Sequence, residues 1–239
     1  MPTRLSLLAA VLAVAGLAPA VPAQVVLAPG HPDLDLARVA PRTGVLAVRQ
    51  GGQAAPMGTV RDDVSLDGGV LTVVTSTVVP MAGPALRDST RMAWPSLAPV
   101  ANAVETGGKA GAVTYYAGAV AGSWAGAPLA FDLERPVFAP AALPLVVRAL
   151  PLDRPGYRAV VPLFSARERF QEATLTVAGP DTVADADGQA RAVVAVDQAG
   201  GGGLTRGFAQ RHYVDPETRD LLSVTYTSTP GTVVETVRR

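Results

Sequence analysis

The chain contains no cysteine, and its 239 residues include only two histidines and the single lysine Lys109. Without cysteine it can form no disulfide and carry no cysteine-linked lipid, and it has no thiolate nucleophile. A structural zinc site needs four ligands of the cysteine and histidine type, and these are in short supply. We therefore predict a fold that is stabilised by its core alone, with no metal site and no cofactor.

An excess of charge of one sign is also lacking, because 20 basic residues balance 20 acidic ones. A nucleic-acid-binding protein needs a basic surface that neutralises phosphates. A protein held on a membrane surface by electrostatics needs clustered basic residues. The composition predicts neither of these partners.

Long apolar runs are confined to the N-terminus. Arg4 precedes the run Leu5 to Ala18, in which Ser6 and Gly16 are the only interruptions. The run is shorter than the ~20 residues that a membrane-spanning helix needs. Pro19 and Pro22 then interrupt the run. In Val21-Pro22-Ala23, small residues occupy the two positions that signal peptidase recognises.

Residues 1–23 are accordingly predicted to be a cleavable signal peptide, with Gln24 as the new N-terminus. Cleavage after Ala20 and retention of the segment as an anchor are the alternatives. The segment contains only one charged residue, Arg4, so the remaining chain has 19 basic and 20 acidic residues. We expect a soluble exported protein, periplasmic or extracellular, without a stable membrane span.

Valine and threonine recur in short runs between glycine- and proline-containing breaks, a pattern typical of antiparallel strands joined by hairpins. An Asp187-Gly188 turn is predicted between two strands, and Asp215–Asp220 and Pro230-Gly231 are predicted as later turns. The predicted strands cover residues 70–79, 174–177, 181–184, 190–196, 207–214, 221–228 and 233–237.

Residues 139–150 differ, since Leu143, Val146, Val147 and Leu150 follow helical spacing and Pro151 ends the pattern. We predict one short helix there. Residues 24–41 have no clear period and are predicted to be a poorly ordered arm. Residues 42–239 are predicted to form a single β-rich domain.

The C-terminal half ends in a specific string, His212-Tyr213-Val214-Asp215-Pro216-Glu217-Thr218-Arg219-Asp220-Leu221-Leu222. With the segments before it, this string resembles a domain of unknown function of exported bacterial proteins, over about residues 130–239. That group is similar to the periplasmic lipoprotein carriers. The resemblance implies a curved antiparallel sheet, a half-barrel or open barrel, with a concave apolar face that holds acyl chains. It implies no catalytic residues, and this chain departs from the carriers in having one predicted helix.

Candidate ligands for metal ions are weakly arranged. His31, Asp33 and Asp35 lie in the predicted arm, and His212 and Asp215 fall on opposite faces of a continuing strand. The acidic run around Asp185 fails as a calcium loop, because its twelfth position is valine and not the bidentate glutamate.

Candidate catalytic groups are no better placed. Ser123 lacks the spacing of a hydrolase elbow, and the glycine run 200–203 lacks the lysine of a phosphate loop and is interpreted as a hairpin tip. The remaining candidates are four glutamates that could hydrolyse glycosides and four aromatic residues that could line a ligand surface. They are Glu105, Glu134, Glu168, Glu172, Trp94, Trp124, Tyr115 and Tyr116. Solvated carboxylates and core packing are the simpler interpretations.

Three functions remain. The preferred hypothesis is a non-enzymatic exported envelope protein that binds an apolar small molecule or a lipid on its curved sheet. The alternatives are a structural protein that interacts with an envelope protein, and a hydrolase of unfamiliar type with His212 as its acid–base group. No catalytic, cofactor-binding or metal-binding residue is assigned.

Overall fold

The computed structural model describes residues 24–50, 55–79, 84–185, 188–201, 208–228 and 233–238. The predicted signal peptide, Asp187, half of the glycine run (Gly202 and Gly203) and Pro230-Gly231 lie outside these residues. Fifteen strands are described, namely β1 Val25–Val26, β2 Gly44–Gln50, β3 Gly58–Asp67, β4 Val70–Val78, β5 Leu86–Ala93, β6 Ala98–Thr106, β7 Lys109–Tyr116, β8 Ala119–Trp124, β9 Ala127–Asp132, β10 Arg158–Ser165, β11 Arg169–Ala184, β12 Ala190–Gly200, β13 Phe208–Val214, β14 Leu221–Ser228 and β15 Val233–Arg238.

These strands form one continuous sheet. β2 to β9 pair in chain order, as do β10 to β15, and all of these pairs are antiparallel. β15 pairs antiparallel with β2 and so joins the two halves, while β1 pairs parallel with β10 at one edge. The prediction of a mainly β, curved antiparallel sheet is confirmed.

Within the residues that the structure describes, one short α-helix, α1, spans Leu143–Ala149 and follows a 3-10 turn at Pro140–Ala142, as predicted for residues 139–150. Pro144 lies in its first turn, where a missing N–H costs little. Val146 and Val147 are fully buried. No helix within the described ranges is long and apolar enough to span a bilayer.

The sheet wraps around this helix. One apolar cluster contains α1 together with β4 residues such as Leu71 and β11–β12 residues such as Leu175 and Val196. β4 and β11 are far apart in strand order, so they can contact one helix only if the sheet curves around it. We call the face that bears this cluster the inner face.

The prediction of low order for residues 24–41 is wrong. Leu27 is fully buried, Leu34, Leu36 and Val39 are also buried, and all four belong to the inner cluster. The Leu27 N–H donates to the Val160 carbonyl at 2.8 Å, which continues the pairing of β1 with β10. The segment lacks a period because it is mostly irregular, with the two-residue β1 and a 3-10 turn at Leu36–Arg38 as its regular elements.

The predicted strands at 174–177 and 181–184 are one strand, because β11 continues through Gly179-Pro180 and is 16 residues long. The register with β12 shifts between Val177 and Gly179, and Gly179 adopts a φ of +116°. A bulge of this kind bends a strand without ending it, and glycine supplies the positive φ.

Aromatic side chains close the gap between the two ends of the sheet. Phe131 on β9 lies 5.7 Å, centroid to centroid, from Phe164 on β10, and Phe164 lies 5.0 Å from Phe170. The Tyr115 hydroxyl donates to the Phe164 carbonyl at 2.7 Å. Phe138 then forms a parallel bridge with Leu163, which covers more of the β10 edge. The ends therefore meet through side chains.

Candidate functional site

A cleft of about 630 Å³ opens at the C-terminal end of α1. We call it the helix-end cleft. Four segments line it: the N-terminal arm, the residues that follow α1, β11–β12, and the turn between β13 and β14. Most of the lining is apolar or proline, contributed by Pro32, Leu150, Pro151, Leu152, Pro180, Ala192, Val193, Val194 and Pro216. A volume in this range is typical of small-molecule sites.

Charged residues of both signs form the rest of the lining: Asp33, Asp35, Asp153, Arg38, Arg154 and Arg219. Asp33 accepts a hydrogen bond from the Tyr157 hydroxyl at 2.8 Å, and its N–H donates to His31 Nδ1 at 3.2 Å. Asp33 and Asp35 of the N-terminal arm therefore line a cleft. The prediction that this arm is poorly ordered did not indicate such a position.

The Asp215–Asp220 turn has a structural role at one side of the cleft. Asp215 Oδ1 accepts the N–H groups of Glu217 and Thr218, which closes the turn. Arg219, buried and at a φ of +60°, donates through Nη1 to the carbonyls of Arg148 and Leu150. These are carbonyls at the end of α1 that have no partner within the helix. The most specific sequence string thus joins the β13–β14 turn to the helix.

A second, smaller pocket of about 70 Å³ lies where α1 meets the starts of β2 and β14 and the end of β15. Three arginines there contact Asp220, and we call them the arginine cluster. Arg42 Nη1 and Arg238 Nη1 lie 3.1 and 3.0 Å from Asp220 Oδ2, and Arg148 Nη2 lies 3.5 Å from Oδ1. Burial and the two neighbouring guanidinium groups lower the pKa of Arg148, although Asp220 opposes this.

Polar side chains also occupy the inner face, on β3 to β6. Asp62, Thr75 and Asp88 lie opposite one another on three neighbouring strands. The Thr75 hydroxyl donates to Asp62 at 2.6 Å, and Asn102 Nδ2 donates to Asp88 at 2.9 Å. Burial raises the pKa of both aspartates, and repulsion from Asp62 raises that of Asp88 further. This part of the inner face is therefore polar.

The histidine of the C-terminal string is buried in the same way. His212 Nε2 lies 2.8 Å from Gln198 Oε1, an acceptor, on the neighbouring strand β12. Burial lowers the pKa of His212 to about 4, so the imidazole is neutral at pH 7. Asp215 lies in the turn beyond the strand, and the structure does not bring it to this ring.

The other predicted candidates are dispersed. Glu105, Glu134 and Glu172 are exposed, and Glu168 is half-buried with a hydrogen bond from Gln171. Among the candidate aromatic residues, Tyr115 is buried and Tyr116 is exposed. Trp94 packs against the inner cluster, and Trp124 packs against a second buried cluster that includes Tyr115 and Phe164. Within the described part of the chain, no group of three or more histidine, aspartate or glutamate side chains is placed to hold a metal ion.

Neither pocket was predicted from the sequence, and neither were Asp62 and Asp88, the aspartates of the inner face. Asp62 stands within Arg61-Asp62-Asp63, which has the appearance of a charged surface segment. Strand alternation beside Val60 and Val64 was the available signal, because it places Asp62 on the inner face. The arginine cluster offered no such signal, since its members lie in segments far apart in the chain.

Comparison with known proteins gives one informative result. No known protein family and no curated protein matches the sequence. Among solved structures, the chain is similar to a β-barrel-like protein of the domain of unknown function DUF1849 from Brucella abortus, with a TM-score of 0.52 and 12% sequence identity. The similarity covers 84% of this chain and 97% of the other. At this identity it shows the fold alone, and it confirms a β-rich fold like that of a domain of unknown function.

Proposed function

We propose that the chain is a non-enzymatic exported protein that binds an apolar or lipid-like ligand in the helix-end cleft. The observation that carries the proposal is the character of that cleft, which has a largely apolar lining, charged residues of both signs and a volume of about 630 Å³. An amphiphilic molecule would place its apolar part against the prolines and valines and its polar part beside the charges.

The location of the ligand differs from that expected for a lipoprotein carrier. The inner face is filled at α1 by the protein's own apolar side chains, and elsewhere it bears the half-buried Asp88 and the buried Asn102 and His212. An acyl chain placed there would take the Asp88 carboxyl further out of water, which is costly. The start of β12 instead contributes Ala192, Val193 and Val194 to the cleft.

Export rests on the sequence of residues 1–23 and is supported by the position of the first strand. β1 begins at Val25, directly after the proposed new N-terminus Gln24. Cleavage after Ala23 would therefore leave the β1–β10 pairing intact. N-terminal sequencing of the protein recovered from its own periplasm or culture medium tests this, and a chain that retains residues 1–23 would contradict it.

Ligand binding can be tested with a substitution that fills the cleft. Ala192 is exposed and lines the cleft, whereas Ala190 is exposed on the same strand and does not line it. We expect saturable binding of the apolar dye N-phenyl-1-naphthylamine, competed by oleate. Ala192→Trp should weaken it at least tenfold, and Ala190→Trp should leave it unchanged. An absence of saturable binding, or an equal effect of the two variants, would contradict the proposal.

A further inference from the structure

The arginine cluster carries more positive charge than its surroundings neutralise. Three guanidinium groups converge on the single carboxylate of Asp220, and two of them share one oxygen atom. The other carboxylate that lines this pocket is the half-buried Asp62, so three guanidinium groups face two carboxylates. A small pocket with unbalanced positive charge remains.

The cluster is also held in place. The Arg148 side chain is only 9% exposed, and its Nη2 donates to the Ala40 carbonyl at 2.9 Å, while its Nε donates to the Arg219 carbonyl. A guanidinium fixed by backbone carbonyls loses little conformational freedom when it binds an anion. Arg42 and Arg238 are more exposed, at 52% and 30%, and they provide access from solvent.

We propose that this pocket binds a small oxyanion of the phosphate type, held by Arg42, Arg148 and Arg238 at the junction of α1, β2 and β15. The pocket volume of about 70 Å³ accommodates one such group. Planar guanidinium groups bind phosphate oxygens through paired N–H donors. The pocket shares no lining residue with the helix-end cleft, so this site is independent of the proposed ligand-binding function.

The test is a calorimetric titration at pH 7.5 and constant ionic strength. Inorganic phosphate is added to the protein that lacks residues 1–23, and the heat of binding is measured. We expect saturable binding that Arg42→Gln and Arg238→Gln each weaken at least tenfold. Arg61→Gln is the control, because Arg61 is an exposed arginine that pairs with one aspartate, Asp63, on the outer side of β3. No saturable binding, or an equal effect of all three variants, would overturn the proposal.

Asp220→Asn gives a result of opposite sign. It removes the carboxylate that competes for the three guanidinium groups, so phosphate should bind several-fold more tightly. Weaker binding by a variant that still unfolds cooperatively would overturn the proposal, and if this variant does not fold, the arginine variants still decide.

The source of the oxyanion is distinguished by vesicles of phosphatidylcholine with and without phosphatidic acid. Binding that requires phosphatidic acid and is lost in Arg42→Gln identifies a lipid headgroup. Binding of dissolved phosphate without vesicle binding identifies a free anion. If neither probe binds, the proposal fails.

Discussion

At the scale of single residues, His212 links the buried polar groups to pH. Its imidazole is fully enclosed and its pKa is lowered to about 4, against an ordinary value of about 6.5. The unfolded chain therefore takes up a proton at higher pH than the folded one does. This contribution to stability is fully present above pH ~6.5 and is lost as the pH falls towards 4, and it amounts to ~3 kcal/mol.

We predict that His212→Gln flattens the dependence of the free energy of unfolding on pH between about 6.5 and 4. The raised pKa values of Asp62 and Asp88 act in the opposite direction, because these carboxyls bind protons more readily in the folded chain. The informative quantity is therefore the difference between variant and wild type, measured by urea denaturation at several pH values.

His31 provides the control for this experiment, as the only other histidine in the chain. It is half-buried and lies in the N-terminal arm. His31→Gln removes an imidazole that lies outside the strands, so an effect confined to His212→Gln belongs to the enclosed ring. If His212→Gln leaves the slope as in the wild type, the imidazole of His212 is not enclosed.

At the scale of elements, the N-terminal arm is an integral part of the core. Leu27 directly follows β1 and is fully buried in the inner cluster, whereas its neighbour Val26 is 50% exposed. Leu27→Ala should cost ~2–5 kcal/mol, in the range for a buried leucine. Val26→Ala should cost less than ~1 kcal/mol.

Thermal and urea unfolding of the two variants would measure this difference. If both variants lose equally little stability, the arm does not pack against β10 and is poorly ordered, as the sequence predicts.

The strands and α1 could be predicted from local sequence. β4 is recognisable from the β-branched residues of Val70–Val78, and the α1 segment from the helical spacing of Val146, Val147 and Leu150, all three of which are buried. The arm and the bulge at Gly179 could not, because their conformations depend on partners distant in sequence. The two pockets could not be predicted for the same reason. Arg42 and Arg238, for example, come together only after β15 has paired with β2.

At the scale of the whole molecule, the β15–β2 pairing makes the two halves depend on each other. β15 is a central strand, bonded on both sides, so every N–H in its middle is used. Thr236 is buried there, and its hydroxyl donates to the Val224 carbonyl at 3.3 Å. Proline at this position would remove a ladder hydrogen bond at the junction.

We predict that Thr236→Pro destabilises the N-terminal half as well, by ~3 kcal/mol or more. Trp94 and Trp124, the two tryptophans of the chain, both lie in that half, so tryptophan fluorescence during urea unfolding reports on it. Thr236→Val, which keeps the N–H, is the control. A tryptophan transition unchanged in Thr236→Pro would mean that the halves fold independently.

The same pairing sets the order in which the molecule can be completed. Gln50 lies opposite Val234. The first long strand, β2, therefore cannot pair with β15 until most of the chain has been synthesised between them. At ~5–20 residues per second, that interval lasts roughly 10–40 s. During this time β2 has an unpaired edge, of the kind that recruits other chains. The edge of β2 is therefore the part of the sheet most exposed to wrong pairing until the final strand is available.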